Sequence, residues 1–224
     1  MDRNQLLYRL SLLIPLVLSL TVHEWAHAWS AYKLGDDTAS RRGRLTLNPI
    51  PHIDPIGTIL LPMLGIPFGW AKPVPVNPLR FDRRWSMRTG MAITAAAGPI
   101  SNFVLALLCA VTLGLLMRLR PETFIATSLG QAPPAVALIQ MGFVINVSLG
   151  IFNLLPIPPL DGSRILARYV PERLHAQWEK VERNGPFILM GVLVLSNVLG
   201  FSLIGRPMRA VMELFNRLVM FIAM

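Results

Sequence analysis

Residues 6–33 read LLYRLSLLIPLVLSLTVHEWAHAWSAYK. From Leu6 to Val22 the run is apolar, broken only by Arg9, and it is of membrane-spanning length. Helical sequence continues through Lys33 and stops at Gly35, a residue type that commonly ends helices. A cleaved signal would close on small residues after a shorter apolar core. This run leads instead into aromatic and charged residues, so it is read as a retained helix. At its end stands His23-Glu24-Trp25-Ala26-His27, an HExxH. Residues i and i+4 share a helix face, so both imidazoles can ligate one Zn²⁺. Glu24 sits one residue round, within reach of a water on that metal. Ionisable groups at membrane depth are costly and mark functional sites.

The rest of the 224 residues agrees with a membrane protein. Hydrophobic residues make up 53% and charged residues 15%, against about 25% charged in an ordinary soluble domain. The mean hydropathy is +0.52. These values exclude a soluble enzyme and a disordered chain. The net charge of +9 does not point to nucleic acid, because the basic residues flank apolar runs. It is read as the positive-inside rule together with anionic lipid headgroups. A lone cysteine, Cys109, excludes an internal disulfide.

The expected architecture is an all-α polytopic membrane protein forming one integral-membrane domain over residues 1–224. About four transmembrane helices are expected: the first helix, Met87–Met117 with a Gly98-Pro99 interruption, Ala135–Leu155, and Pro186–Ile204. Ile56–Trp70 is apolar but broken by Pro62, Pro67 and three glycines, which fits a re-entrant or interfacial hairpin. KPVPVNPLRF at 72–81 reads as an edge strand or extended segment. Met208–Met224 carries Arg209, Glu213 and Arg217 four residues apart, the pattern of an interfacial amphipathic helix. With the N-terminus outside, residues 33–88 and 156–185 place fourteen Lys/Arg inside against seven outside. That asymmetry favours this orientation, with the active site towards the cytoplasmic side of the membrane.

A hydrolytic zinc needs three protein ligands and an open position. Two acidic residues lie close to apolar sequence: Asp54 in NPIPHIDPIG and Asp161 in NLLPIPPLDG. Asp161 is the better candidate, on a proline-stiffened stretch directly after a long span, with Gly162 permitting close backbone approach. The same residue would also serve as a helix N-cap.

HEWAH in a membrane helix, GPISN at 98–102 and NLLPIPPLDG at 153–162 together resemble the site-2 protease family of intramembrane zinc metalloproteases. NPIPHIDPIGTILLP and GWAKPVPVNP resemble segments of its compact prokaryotic members, the type without PDZ or CBS domain. The resemblance implies His23, His27 and Asp161 as ligands of one Zn²⁺ and Glu24 as the catalytic residue that activates water. It implies that Asn102 and Asn153 lie near the site or its substrate; an interhelical hydrogen bond is the alternative for each. The implied partners are a transmembrane protein substrate and the lipid bilayer, in a prokaryotic plasma membrane, with no nucleic acid.

Intramembrane His/Asp clusters also mark ion paths. A transporter offers ligands on both sides of the site and often inverted repeats, and the sequence shows neither. A non-catalytic scaffold would have lost Glu24 or a ligand, and all are present. His52 and Asp54 read as structural. Trp70 and Lys72 are read as interface anchors and His175 as part of a solvated face. The Asn146-Val-Ser148 sequon lies inside a span, where no glycan is attached.

Overall fold

The computed structural model describes residues 3–65, 69–122, 133–199 and 205–224. Among these the regular structure is helical, with no strand. Three helices are long and apolar enough to cross a membrane, in the segments Arg9–Lys33, Met87–Leu119 and Pro134–Asn153. They belong to α1 (Arg3–Lys33), α4 (Met87–Leu119) and α5 (Pro134–Asn153). Between α1 and α4 lie α2 (Thr38–Arg41), a 3₁₀ turn at Ile50–His52, a π-helical turn at Pro55–Leu60, and α3 (Leu61–Met63). After α5 come α6 (Asp161–Ala167), α7 (His175–Arg183), α8 (Gly185–Val198) and α9 (Gly205–Ala223).

α4 is the central helix. It packs on α1, α5, α6 and α9, and its buried face is built from Gly90, Ala92, Ala95, Gly98, Ala106, Ala110 and Gly114. In lipid the hydrophobic effect does not hold helices together, so close packing of small residues must. The core joins Ala106, Ala110 and Leu113 of α4 to Val136, Phe143, Val147 and Ile151 of α5. Cross-helix contacts set the directions. His27 meets Thr94, Ser19 meets Asn102 and Asn146, and Pro15 lies against Gly142. α1 and α5 therefore run together and α4 runs against them. This puts the 34–86 connection and the chain after α5 at the same end of the bundle.

A buried polar chain stitches these three helices. The Asn102 Nδ2 donates to Asn146 Oδ1 at 2.8 Å, and the Asn146 Nδ2 donates to Ser19 Oγ and to Gly142 O, each at 2.8 Å. Ser19 Oγ donates in turn to Pro15 O at 2.6 Å.

Several expectations are refined. α1 ends where Gly35 was expected to stop it, with Gly35 at φ +106°. α4 continues through Gly98-Pro99 as one helix. α8, over the expected fourth span, is apolar but 14 residues long, and residues 200–204 at the end of that expected span lie outside the described residues. The Ile56–Trp70 segment begins with the π-helical turn and α3, while residues 66–68 lie outside the described ones. Of the two readings of KPVPVNPLRF, edge strand or extended segment, the strand is not formed. Pro73, Pro75 and Pro78 lack N–H donors. The amides of Lys72, Val74 and Asn77 go to His52 O, Glu24 and Asp36, so no ladder forms. α9 is amphipathic, with Arg209, Glu213 and Arg217 all exposed. Its other face packs lengthwise on the spans: Met208 sits beside Ser148, Phe215 meets Phe143 at 5.4 Å between ring centroids, and Ile222 packs on Gly114.

Replacing Asn146 with Val strands a donor on Asn102 and an acceptor on Ser19 inside the bundle. Unfolding in detergent should show a loss of about 1–2 kcal/mol, the usual range for such a deletion. Unchanged stability would mean that this chain does not tie the spans together.

Candidate metalloprotease active site

His23 and His27 occupy successive turns of α1 and point the same way, with their Nε2 atoms 3.0 Å apart. Asp161, the first residue of α6, brings Oδ2 to 3.2 Å from His23 Nε2 and 3.3 Å from His27 Nε2. All three side chains are buried. Thus the three residues expected as ligands converge on one point, from chain positions far apart. Asp54, the alternative third ligand, lies elsewhere: its Oδ1 accepts from Ile56 N and Gly57 N as the N-cap of the π-helical turn.

Whether these groups suit a metal can be judged from where their atoms point. The Oδ2 of Asp161 is buried and has no hydrogen-bond partner, although both imidazoles are near. Its neighbours are therefore aimed at a shared point rather than at it. The outward nitrogens are held from behind. His23 Nδ1 meets Asn102 Oδ1 at 2.6 Å, and His27 Nδ1 meets Thr94 O at 2.7 Å. Both partners are acceptors, so each Nδ1 carries the proton and each Nε2 presents a lone pair. Two imidazole lone pairs and one carboxylate oxygen form a donor set that fits Zn²⁺ with a position left open.

Two glycines make this geometry achievable. A Cβ on Gly98 would stand 2.5 Å from the His27 ring and 2.6 Å from that of His23. Beside Gly98, Pro99 interrupts the hydrogen-bond ladder of α4, close to the Thr94 carbonyl that holds His27. A Cβ on Gly162 would stand 2.2 Å from Leu154 O, so the LDG turn is seated directly on the end of α5.

Glu24 turns aside from the triad. Its Oε2 accepts from the Val74 N–H at 2.8 Å. The strap containing Val74, residues 71–77, is fixed by buried polar groups. Arg44 donates to Lys72 O at 2.5 Å and to Pro73 O at 3.2 Å. Asp36, fully buried, accepts from Asn77 N at 2.6 Å. His52 is also buried, with Nε2 meeting Thr46 O at 2.9 Å, and its carbonyl accepts from Lys72 N. His52 and Asp54 are thus structural.

The two asparagines differ. Asn102 is fully buried, with its Oδ1 against His23 and its Nδ2 donating to the neighbouring span. Asn153 donates to Leu149 O of its own helix at 3.0 Å and is not among the contacts of the triad. Sequence reasoning missed Asn146, which supports Asn102, and the strap's anchors Asp36 and Arg44. A polar residue amid an apolar run was the available signal for Asn146; nothing local marked the other two.

Comparison with known proteins adds the family. The model of peptidase family M50 matches residues 123–196, the segment that contains Asp161. A Bacillus subtilis (strain 168) protein named "Putative zinc metalloprotease YwhC" is 40% identical over 222 residues, covering 96% of this chain and 97% of that protein. "Putative zinc metalloprotease Rip2" of Mycolicibacterium smegmatis is 31% identical over 183 residues, covering 82% of this chain and 66% of the relative. Its Mycobacterium tuberculosis (strain ATCC 25618 / H37Rv) namesake is 32% identical over 166 residues, covering 71% and 58%. No solved structure matches. With a relative aligned along nearly its whole length, and with HEWAH and LDG meeting at one buried point, the chain belongs to peptidase family M50, the site-2 protease family of zinc metalloproteases.

Proposed function

We propose that this protein is an intramembrane protease that hydrolyses peptide bonds within or near transmembrane segments of other membrane proteins, in regulated intramembrane proteolysis. The observation that carries the reading is the buried convergence of His23, His27 and Asp161 on a membrane helix that also bears Glu24. His23, His27 and Asp161 would hold one zinc ion. Zinc, when bound, supplies an acidified water, with a pKa lowered towards about 7, and a Lewis acid for the scissile carbonyl. Glu24 takes the proton of the attacking water and returns it to the leaving amine. Its hydrogen bond to the Val74 amide keeps the carboxylate on the strap side of the site. A substrate helix hides its carbonyls in its own hydrogen bonds, so it must unwind; the extended 71–77 strap would lie alongside it, with the Val76 amide as the donor that these contacts leave over.

We place the whole chain, residues 1–224, in the membrane as one domain. Four spans cross it, the fourth starting with α8, and the segment around Pro55–Met63 re-enters the bilayer from the 34–86 side. The N-terminus is outside a prokaryotic plasma membrane. α1 has 31 residues, so it is about 46 Å long at ~1.5 Å per residue and exceeds a hydrocarbon core of about 30 Å. His23 lies about 30 Å along it, past its midpoint. The site then sits in the cytoplasmic half, and cleavage releases a cytoplasmic product. Asn153 remains a candidate for contact with substrate, at the end of α5 where the LDG stretch begins.

Co-expression of the wild type or Glu24→Gln with candidate membrane substrates, followed by mass spectrometry of the products, tests the reaction. Glu24→Gln should abolish cleavage and keep zinc, because Glu24 is not a ligand. His23→Ala and Asp161→Ala should lose both. Equal zinc loss in Glu24→Gln would overturn its assigned role.

Asn102→Ala removes the acceptor behind His23. Zinc affinity should fall about 10–100-fold, the usual consequence of deleting a partner that orients a metal ligand. Competition with a chromogenic chelator measures it, and an unchanged affinity would reduce Asn102 to a helix-packing residue.

Orientation is read by labelling a cysteine introduced at the exposed Ser40. A membrane-impermeant reagent should reach it only from the cytoplasmic side. Labelling from outside would reverse the expected direction of product release.

A further inference from the structure

The corner formed by α6 and α7 is tied to one face of the membrane, because the span α5 precedes it and the apolar helix α8 follows it. A cavity of about 430 Å³ opens between this corner and the start of α4. Arg88 of α4, Arg164 of α6 and Arg168 just past its end line it, and Glu179 and Glu182 of α7 share it. Charges of both signs face one space, yet among the described residues none of the three guanidiniums forms an ion pair. Arg88 contacts the His175 imidazole instead, Arg168 lies over the Tyr169 ring, and Glu182 Oε1 accepts from Trp178 Nε1 at 2.8 Å. On the other side of the same corner is a second cavity of about 370 Å³, lined by Leu166, Tyr169, Leu174 and Val181 among others. Trp178 borders both cavities.

We propose that this corner is a binding site for a phospholipid with a phosphoethanolamine headgroup. The phosphate is taken by Arg164, Arg168 and Arg88, because guanidinium forks suit phosphate oxygens. The primary ammonium is taken by Glu179 and Glu182, with the face of Trp178 available to a cation. An acyl chain covers the apolar cavity beyond Trp178. A purely anionic headgroup leaves the two carboxylates facing like charge. A choline headgroup has no N–H to give them. A water-soluble phosphate leaves the apolar cavity uncovered. Arg164 follows Asp161 by three residues on the same short helix, so an occupied site steadies the helix that presents the third converging side chain.

The test is native mass spectrometry of the purified, zinc-loaded protein with defined phosphatidylethanolamine, phosphatidylglycerol and phosphatidylcholine. Retention of the ethanolamine lipid over the choline lipid should be about tenfold, the scale of one charge-assisted hydrogen bond. Glu179→Gln combined with Glu182→Gln should erase the preference for ethanolamine and leave the glycerol lipid bound as before. Arg164→Gln combined with Arg168→Gln should weaken all three. If the arginine pair fails to fold, the exposed Arg164→Gln alone should show the same change at smaller size. Equal retention of the three lipids by the wild type, or a preference for phosphatidylglycerol, would overturn the proposal. So would displacement by soluble glycerophosphoethanolamine at the concentration at which whole lipid acts, since the apolar cavity would then contribute nothing. The readout is lipid retention, so it stands apart from whether the chain cleaves any substrate.

Discussion

Within the bundle a polar atom has no water to turn to, and each one must find its partner in its own helix or in a neighbouring one. That constraint organises the structure around His23. Its Nδ1 is held by Asn102, whose amide is held by Asn146, whose amide is held by Ser19 on the helix that carries His23 itself. The circuit passes through three spans and returns to its start, so the rotation of each helix is set relative to the others. Small residues along α4 let the backbones approach closely enough for these short side chains to meet. Asp161 Oδ2, like Thr94 Oγ1 of α4, is buried without a hydrogen-bond partner, and it faces the Nε2 atoms of His23 and His27. The satisfied groups and that carboxylate oxygen are two sides of a single arrangement: the helices are locked so that a site for a cation remains.

The connection between α1 and α4 is a second polar framework, built for a backbone rather than for a metal. Arg44 takes two successive carbonyls of the strap, Asp36 takes the amide at its far end, and His52 takes the amide at its near end. Prolines at 73, 75 and 78 stiffen what lies between and delete donors that would otherwise seek a strand. Of the two amides that remain between them, those of Val74 and Val76, the first goes to Glu24. The charged residues here look dispersed along the sequence, and their common purpose appears only when the strap is seen beside the end of α1.

The long elements and the triad were legible in the sequence because they rest on local rules. A continuous apolar run gives a span, i and i+4 on a helix give two ligands on one face, and an acidic residue after a span stands out against its surroundings. Asp161 over Asp54 was harder, since both follow prolines and both can cap a turn; only the tertiary arrangement separates them. Asp36, Arg44 and Asn146 were missed for one reason. Each acts on a residue distant in sequence, at 77, 72–73 and 102, and no periodicity encodes such a pairing. At 72–81 the sequence left an edge strand and an extended segment both open: alternation was present, but the proline positions and the acceptors Glu24, Asp36 and His52 O divert its amides from a ladder. α9 showed its charged stripe at once, while the partner for its apolar face, α4 with α5 rather than a bilayer surface, was set by packing.

The converging side chains also stand far apart along the chain: His27 and Asp161 are separated by 134 residues. At synthesis rates of about 5–20 residues per second, roughly 7–27 s pass between the emergence of HEWAH and that of LDG. During that interval the first helix offers two imidazoles and a carboxylate but no third arm. A nascent chain, or one truncated before residue 161, therefore carries Glu24 and two of the three converging side chains without a complete site. The order of translation acts as a safety catch, and an enzyme whose natural surroundings are other membrane helices stays inert until most of its own are in place.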